Sequence, residues 1–179
     1  MSSYPINITA TISEKKLQNG TFLFIYRASR IPPHIGIITN GLLYDITSVG
    51  PNIDLAVSDF YKTAVKRKTE VLFVELNLPE AETNKIISEK VNKHWKVTAT
   101  TSCLAPVKEF LFEMCKIELE KATFLFDLLP VLDEANLIDG VFELNLQKKI
   151  KSNVFELNKY TQQDIQNCIV ALGRKEKIS

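Results

Sequence analysis

Apolar residues recur along this chain with two different periods. The first half reads as short β-rich runs: "GTFLFIY" (20–26), "HIGIIT" and "LLYDIT" on either side of Asn40-Gly41, and "TEVLFVEL" (69–76), rich in β-branched and aromatic residues. Asn-Gly between two such runs predicts a tight type I′ hairpin. Between these strands, "IDLAVSDFYKTAV" (53–65) has the spacing of a short helix.

From Pro79 the period lengthens. "PEAETNKIISEKVNKHW" places acids early and lysines late, which complements a helix dipole. "TTSCLAPVKEFLFEMCKIELEK" offers hydroxyl caps, then apolar residues at helical spacing (Leu104, Val107, Phe110, Leu111, Met114), with Pro106 confining the start to the first turn. "FLFDLLPVLDEANLID" predicts a helix broken at Pro130 and ended by Gly140, and "VFELNL" (141–146) a returning strand. "TQQDIQNCIVALG" closes with a helix capped by Thr161 and ended by Gly173. Strands first, helices next and a strand or two last make an α+β class. With no repeat or linker, residues 1–179 read as a single domain, 1–16 as an N-terminal extension and 153–179 as a C-terminal helical segment.

Composition narrows the function classes. Lys plus Arg number 22 against 21 Asp plus Glu, and the KRK at 66–68 is too short for a basic tract, so nucleic acid is not an expected partner. No apolar run reaches the roughly 20 residues of a membrane span, and no secretory leader is visible, so a cytoplasmic location is expected. Cys103, Cys115 and Cys168 contain no C-x-x-C. They point to neither a disulfide framework nor a metal site, and no cofactor is called for.

Candidate chemistry begins at His34. With a two-residue loop at Asn40-Gly41, paired residues sum to 81, so Gly36 would face Asp45 and His34 would face Thr47. His34–Thr47 would be a non-hydrogen-bonded pair, with Cβ atoms roughly 4.5–5.5 Å apart. Alternation puts Ile35, Ile37, Leu42, Tyr44 and Ile46 on one face and His34, Gly36, Ile38, Leu43, Asp45 and Thr47 on the other. Asp45 lies diagonally from His34, and Gly36 between them has no side chain to obstruct a close approach. Either Thr47 or Asp45 could orient the imidazole. A solvated strand carrying polar residues would look the same.

Cys103 is the nucleophile candidate. It follows Thr100-Thr101-Ser102 at a helix start, where free N–H groups and the dipole stabilise a thiolate and can hold an oxyanion. Cys115 and Cys168 sit among apolar neighbours and read as small core residues. His94, in "NKHWK", is a competing base, although a lysine-rich helix end explains it equally well.

This order resembles the circularly permuted papain-like cysteine hydrolases, relatives of NlpC-type cell-wall peptidases that include the YiiX-like proteins. The likeness rests on "LQNGTFLFIYRASRIPPHIGII", "LYDITSVGP", "SCLAPVKEFL" and "FLFDLLPVLDEANLIDGVFEL". It implies a permuted papain-like fold, an antiparallel β-sheet or partial barrel with a Cys-bearing helix packed on it. It also implies a Cys–His thiol hydrolase or acyltransferase acting on a peptide, an isopeptide or a lipid ester. Carried over, Cys103 would be the nucleophile, His34 the base and Thr47 the third polar residue. A threonine hydroxyl can orient an imidazole but cannot stabilise imidazolium as a carboxylate does. Trp95 stands where such proteins often carry Tyr. The rival expectation is a catalytically inactive binding module that uses the groove between the hairpin and the Cys-helix.

Overall fold

The Asn40-Gly41 turn forms as predicted: both residues have positive φ (51° and 77°), the requirement of a type I′ turn. It joins β4 (His34–Thr39) to β5 (Leu42–Ile46). The ladder begins in the expected register, with Thr39 opposite Leu42, Ile38 opposite Leu43 and Ile37 opposite Tyr44. The computed structural model describes residues 2–176. Around this hairpin, β3 (Thr21–Tyr26), β7 (Val71–Leu76), β8 (Ile138–Leu144), β6 (Pro51–Ala56) and β2 (Ala10–Thr11) build a seven-stranded sheet. Its order is β2-β8-β7-β3-β4-β5-β6, antiparallel except for the β2–β8 edge pair, and it stays open instead of closing into a barrel. A second, two-stranded sheet pairs β1 (Ser3–Asn7) with β9 (Val154–Asn158).

Five helices complete the α+β architecture among the described residues: α1 (Val57–Arg67), α2 (Thr83–His94), α3 (Leu104–Cys115), α4 (Leu125–Glu134) and α5 (Gln162–Glu176). The two faces predicted for the hairpin are buried separately. Ile35, Ile37, Tyr44 and Ile46 pack in one cluster with α2, α3 and α4, while Ile38 and Leu43 join Phe22, Phe24 and Phe73 against α1. Asn84 fastens α2 to the hairpin, its side-chain amide donating to the Thr39 carbonyl (3.0 Å) and the Tyr44 hydroxyl (2.9 Å). Burial and the hydrogen bond to Asp54 push Tyr44 up to about 12.

Four predicted elements differ. Residues 53–56, expected as the start of a helix, belong to the edge strand β6; pairing with β5 supplies the hydrogen bonds, and the helix begins only at Val57. The first sixteen residues, expected as an extension, contribute β1 and β2, and the C-terminal segment contributes β9 as well as α5. α4 runs straight through Pro130. Proline removes one helical bond, but Leu125, Leu128, Leu129 and Leu132 bury the turns on both sides. Gly140 lies inside β8 and Gly173 inside α5, so neither glycine ends a helix.

Candidate active site

His34 opens β4 at the point where the chain leaves the loop after β3. Its ring centroid lies 6.1 Å from that of Phe24, and 29% of the side chain is exposed. Nε2 lies 2.6 Å from Oδ2 of Asp45, whose side chain is 7% exposed. Gly36 makes this approach possible. A Cβ built there would stand 2.6 Å from the Tyr44 carbonyl oxygen, 2.6 Å from Phe24 Cε1 and 2.7 Å from Asp45 Cβ, so any side chain would force the two strands apart.

The second oxygen of Asp45, Oδ1, accepts a hydrogen bond from Asn52 Nδ2 at 2.7 Å. Asn52 sits opposite Asp45 in the β5–β6 ladder, just past a register shift between Leu43 and Asp45. Sequence reading passed over this residue, which falls between "LYDITSVGP" and the stretch 53–65 expected as a helix. Its signal was the short loop at Ser48–Gly50, which folds the chain back on β5.

Cys103 is the N-cap of α3. Ser102, immediately before it, caps the helix, its Oγ accepting from the Leu104 N–H at 3.2 Å. Cys103 lies within interacting range of the His34 imidazole, whose Nε2 is committed to Asp45. Burial alone would lower the His34 pKa. Hydrogen bonds to Asp45 and Cys103, reinforced by their charges, overcome that penalty and push the imidazole up to about 10. At neutral pH His34 is therefore an imidazolium between a carboxylate and a sulfur.

Of the two residues left open for orienting His34, Asp45 makes the contact. Thr47 is elsewhere engaged: its Oγ1 donates to the Gly50 carbonyl at 2.9 Å and its N–H bonds the same oxygen. The expected His34–Thr47 pair does not form. The β4–β5 ladder runs no further than Ile37 and Tyr44, and β4 continues against β3, with His34 opposite Tyr26.

His94 ends α2 and lies 3.0 Å from Oε1 of Glu109 on α3. The contact is an ion pair by distance but poorly directed, since the buried Nε2 makes no hydrogen bond of good geometry. Burial would raise the Glu109 pKa, but Lys93 and His94 lower it overall, which makes this trio a tie between α2 and α3. Trp95 follows with φ 65° and is 55% exposed. All three cysteines are free thiols, and burial raises the Cys115 pKa.

Two concavities occur elsewhere: a cleft of about 230 Å³ lined by Tyr4, Leu129, Asp133 and Val141, and an open depression of about 470 Å³ around Lys15, Lys16 and Glu75. Neither is lined by Cys103, His34 or Asp45. Among the described residues no group of three His, Cys, Asp or Glu side chains is placed to hold a metal ion, and no helix is long and apolar enough to cross a membrane. Compared with known proteins, the chain matches no family model, no curated protein and no solved structure.

Proposed function

We propose that the protein is a thiol-dependent hydrolase or acyltransferase of the circularly permuted papain-like kind, with Cys103 as nucleophile, His34 as its acid and base, and Asp45 as the residue that orients His34. One observation carries the reading: the His34 imidazole is bonded to a buried carboxylate and lies within interacting range of Cys103, and the two together favour its cationic form. A nucleophile, a base within reach and a third group orienting the base are the signature of covalent acyl transfer. The cysteine's position at the mouth of a twelve-residue helix adds a dipole that favours negative charge. The order of residues, a strand histidine well before a helix cysteine, and the packing of that helix on the sheet agree with the permuted arrangement.

The chemistry follows from the pair. The Cys103 thiolate attacks the carbonyl carbon of an amide (a peptide or isopeptide) or of a lipid ester. The C–S bond forms as the carbonyl electrons move to oxygen, and the Cys103 N–H faces that charge. On collapse, the leaving amine or alcohol takes the proton from His34, and an acyl-enzyme remains. Water or an acceptor alcohol or amine, deprotonated by His34, then releases the acyl group. Thr47, hydrogen-bonded within its own turn, has no part in these steps.

The test is covalent labelling. Iodoacetamide at pH 6.5 should modify Cys103 in the native protein. Cys103→Ala should lose the label, and the Cys115→Ala and Cys168→Ala variants should keep it. Labelling that survives Cys103→Ala, or a Cys103 that reacts only after denaturation, would remove the basis for the proposal.

A further inference from the structure

The carboxylate that meets His34 is itself held. Asp45 Oδ2 lies 2.6 Å from His34 Nε2 and Oδ1 accepts from Asn52 Nδ2 at 2.7 Å, so each oxygen has a partner on a different strand and the plane of the carboxylate is fixed. With only 7% of the Asp45 side chain exposed, little water reaches Oδ1 to take the place of Asn52. An ionised carboxylate only accepts, so whatever faces Oδ1 has to donate. An amide does so without bringing a charge that would compete with the imidazole.

The edge strand departs from a regular ladder to make that contact. Leu42 faces Ala56 and Leu43 faces Leu55, a register that would carry Ile53 opposite Asp45; an additional residue on β6 brings Asn52 there instead, with Pro51 opposite Ile46. The insertion is a β-bulge that sets Ile53 and Asp54 of β6 against Tyr44 alone. Its strain falls on Asp54, held at φ 55° in the left-handed region, whose carboxylate accepts a hydrogen bond from the Tyr44 hydroxyl. With Ile53 opposite Asp45, Oδ1 would face no side-chain donor.

We propose that Asn52 is a positioning residue of this site: its amide fixes the Asp45 carboxylate so that Oδ2 faces His34 Nε2, and the β6 bulge is what brings that amide into register. The inference rests on His34 being the base of the proposed reaction, and Asn52 acts on it through Asp45 alone. Without Asn52, Oδ1 has no partner among the described residues. The carboxylate then turns toward solvent and draws Oδ2 away from the ring, and the imidazole loses part of what stabilises its proton.

The His34 midpoint, followed by imidazole carbon–proton NMR in a His94→Gln background, tests this without any reaction at Cys103. Asn52→Ala should lower the midpoint by about one pH unit, a tenfold loss of proton affinity and the worth of about one hydrogen bond. Asn52→Leu, which keeps the branched shape of the amide and lacks its donor, should do the same. Asn52 is half-exposed on an edge strand, and thermal melts check that both variants fold. In an Asp45→Asn background the same substitutions should leave the midpoint where Asp45→Asn alone sets it, because the effect runs through the carboxylate. A residue that merely ties β6 to β5 predicts lower stability at the native midpoint, and a midpoint unchanged or raised overturns the assignment. So does an equal fall with and without Asp45. Should neither variant fold, the side-chain amide of Asn52 in the native chain decides: the Nδ2 proton bonded to Asp45 should resonate well apart from its geminal partner and move as His34 titrates, and a pair of protons indifferent to that titration refutes the link. If Cys103 fails to label while the midpoint falls as stated, the acyl-transfer reading is lost and the hold of Asn52 on His34 stands.

Discussion

Replacing Asp45 with Asn changes one oxygen to an amide and removes one charge. In the native protein that charge sits 2.6 Å from His34 Nε2 on a side chain 7% exposed, so solvent screens it little. The imidazole is pushed up to about 10 from the ordinary 6.5. A histidine whose folded pKa is raised stabilises the fold fully below about pH 6.5, and that contribution fades as pH climbs towards 10. Asp45→Asn should bring the His34 midpoint down sharply, because burial, which lowers it, then opposes only Cys103. The imidazole can shed its proton, so no unpaired buried charge survives. The loss should therefore be that of a charge-assisted hydrogen bond, about 2–3 kcal/mol at pH 6, shrinking as pH rises. Imidazole carbon–proton NMR reads the midpoint directly: the chain has only two histidines, and His94→Gln leaves one. Urea unfolding at pH 6 and pH 9.5 reads the stability. A native His34 midpoint near 6.5, or one that Asp45→Asn leaves unmoved, would show that the carboxylate does not govern this ring.

Two further substitutions test the geometry around the pair. Thr47→Val removes a hydroxyl bonded only within its turn, so it should cost about 1 kcal/mol of stability and leave the Cys103 alkylation rate unchanged, as read by denaturation and labelling side by side. Gly36→Ala would place a methyl within 2.7 Å of the Tyr44 carbonyl and Asp45 Cβ; it should destabilise the chain by about 2–4 kcal/mol in urea and lower the His34 midpoint by driving Asp45 away.

The parts of this fold legible in the sequence are those dictated locally. Asn40-Gly41 sets the hairpin turn because few other dipeptides accept positive φ at both positions, and the alternation of Ile37, Ile38, Leu43 and Tyr44 assigned both faces correctly. What failed was the extrapolation of an ideal ladder. Six residues beyond the turn, β5 gives way to a tight loop that turns Thr47 back on Gly50, while β4 keeps to β3. Residues 53–56 of the edge strand were misread as helix because they are half-exposed or exposed, so burial imposes no period-2 pattern on them; β5 supplies their register. Asn52 reaches Asp45 only through the β5–β6 ladder, a pairing that no alternation in the sequence signalled.

The choice between an acyl-transfer centre and an inert groove turns on what a buried ion pair is for. As architecture, His34–Asp45 is a poor device: desolvating the two groups offsets most of their attraction, and a well-packed apolar pair in the same space would hold the hairpin as firmly. Yet both carboxylate oxygens are engaged, one by His34 and the other by Asn52 from the next strand, so three strands combine to fix one imidazole. That imidazole lies within interacting range of a cysteine on a helix N-terminus, where an uncharged residue would cap equally well. The rival binding reading drew its force from the lack of an acid at position 47. With Asp45 supplying that acid two residues earlier, the arrangement has the charge that thiol chemistry needs and that ligand binding does not.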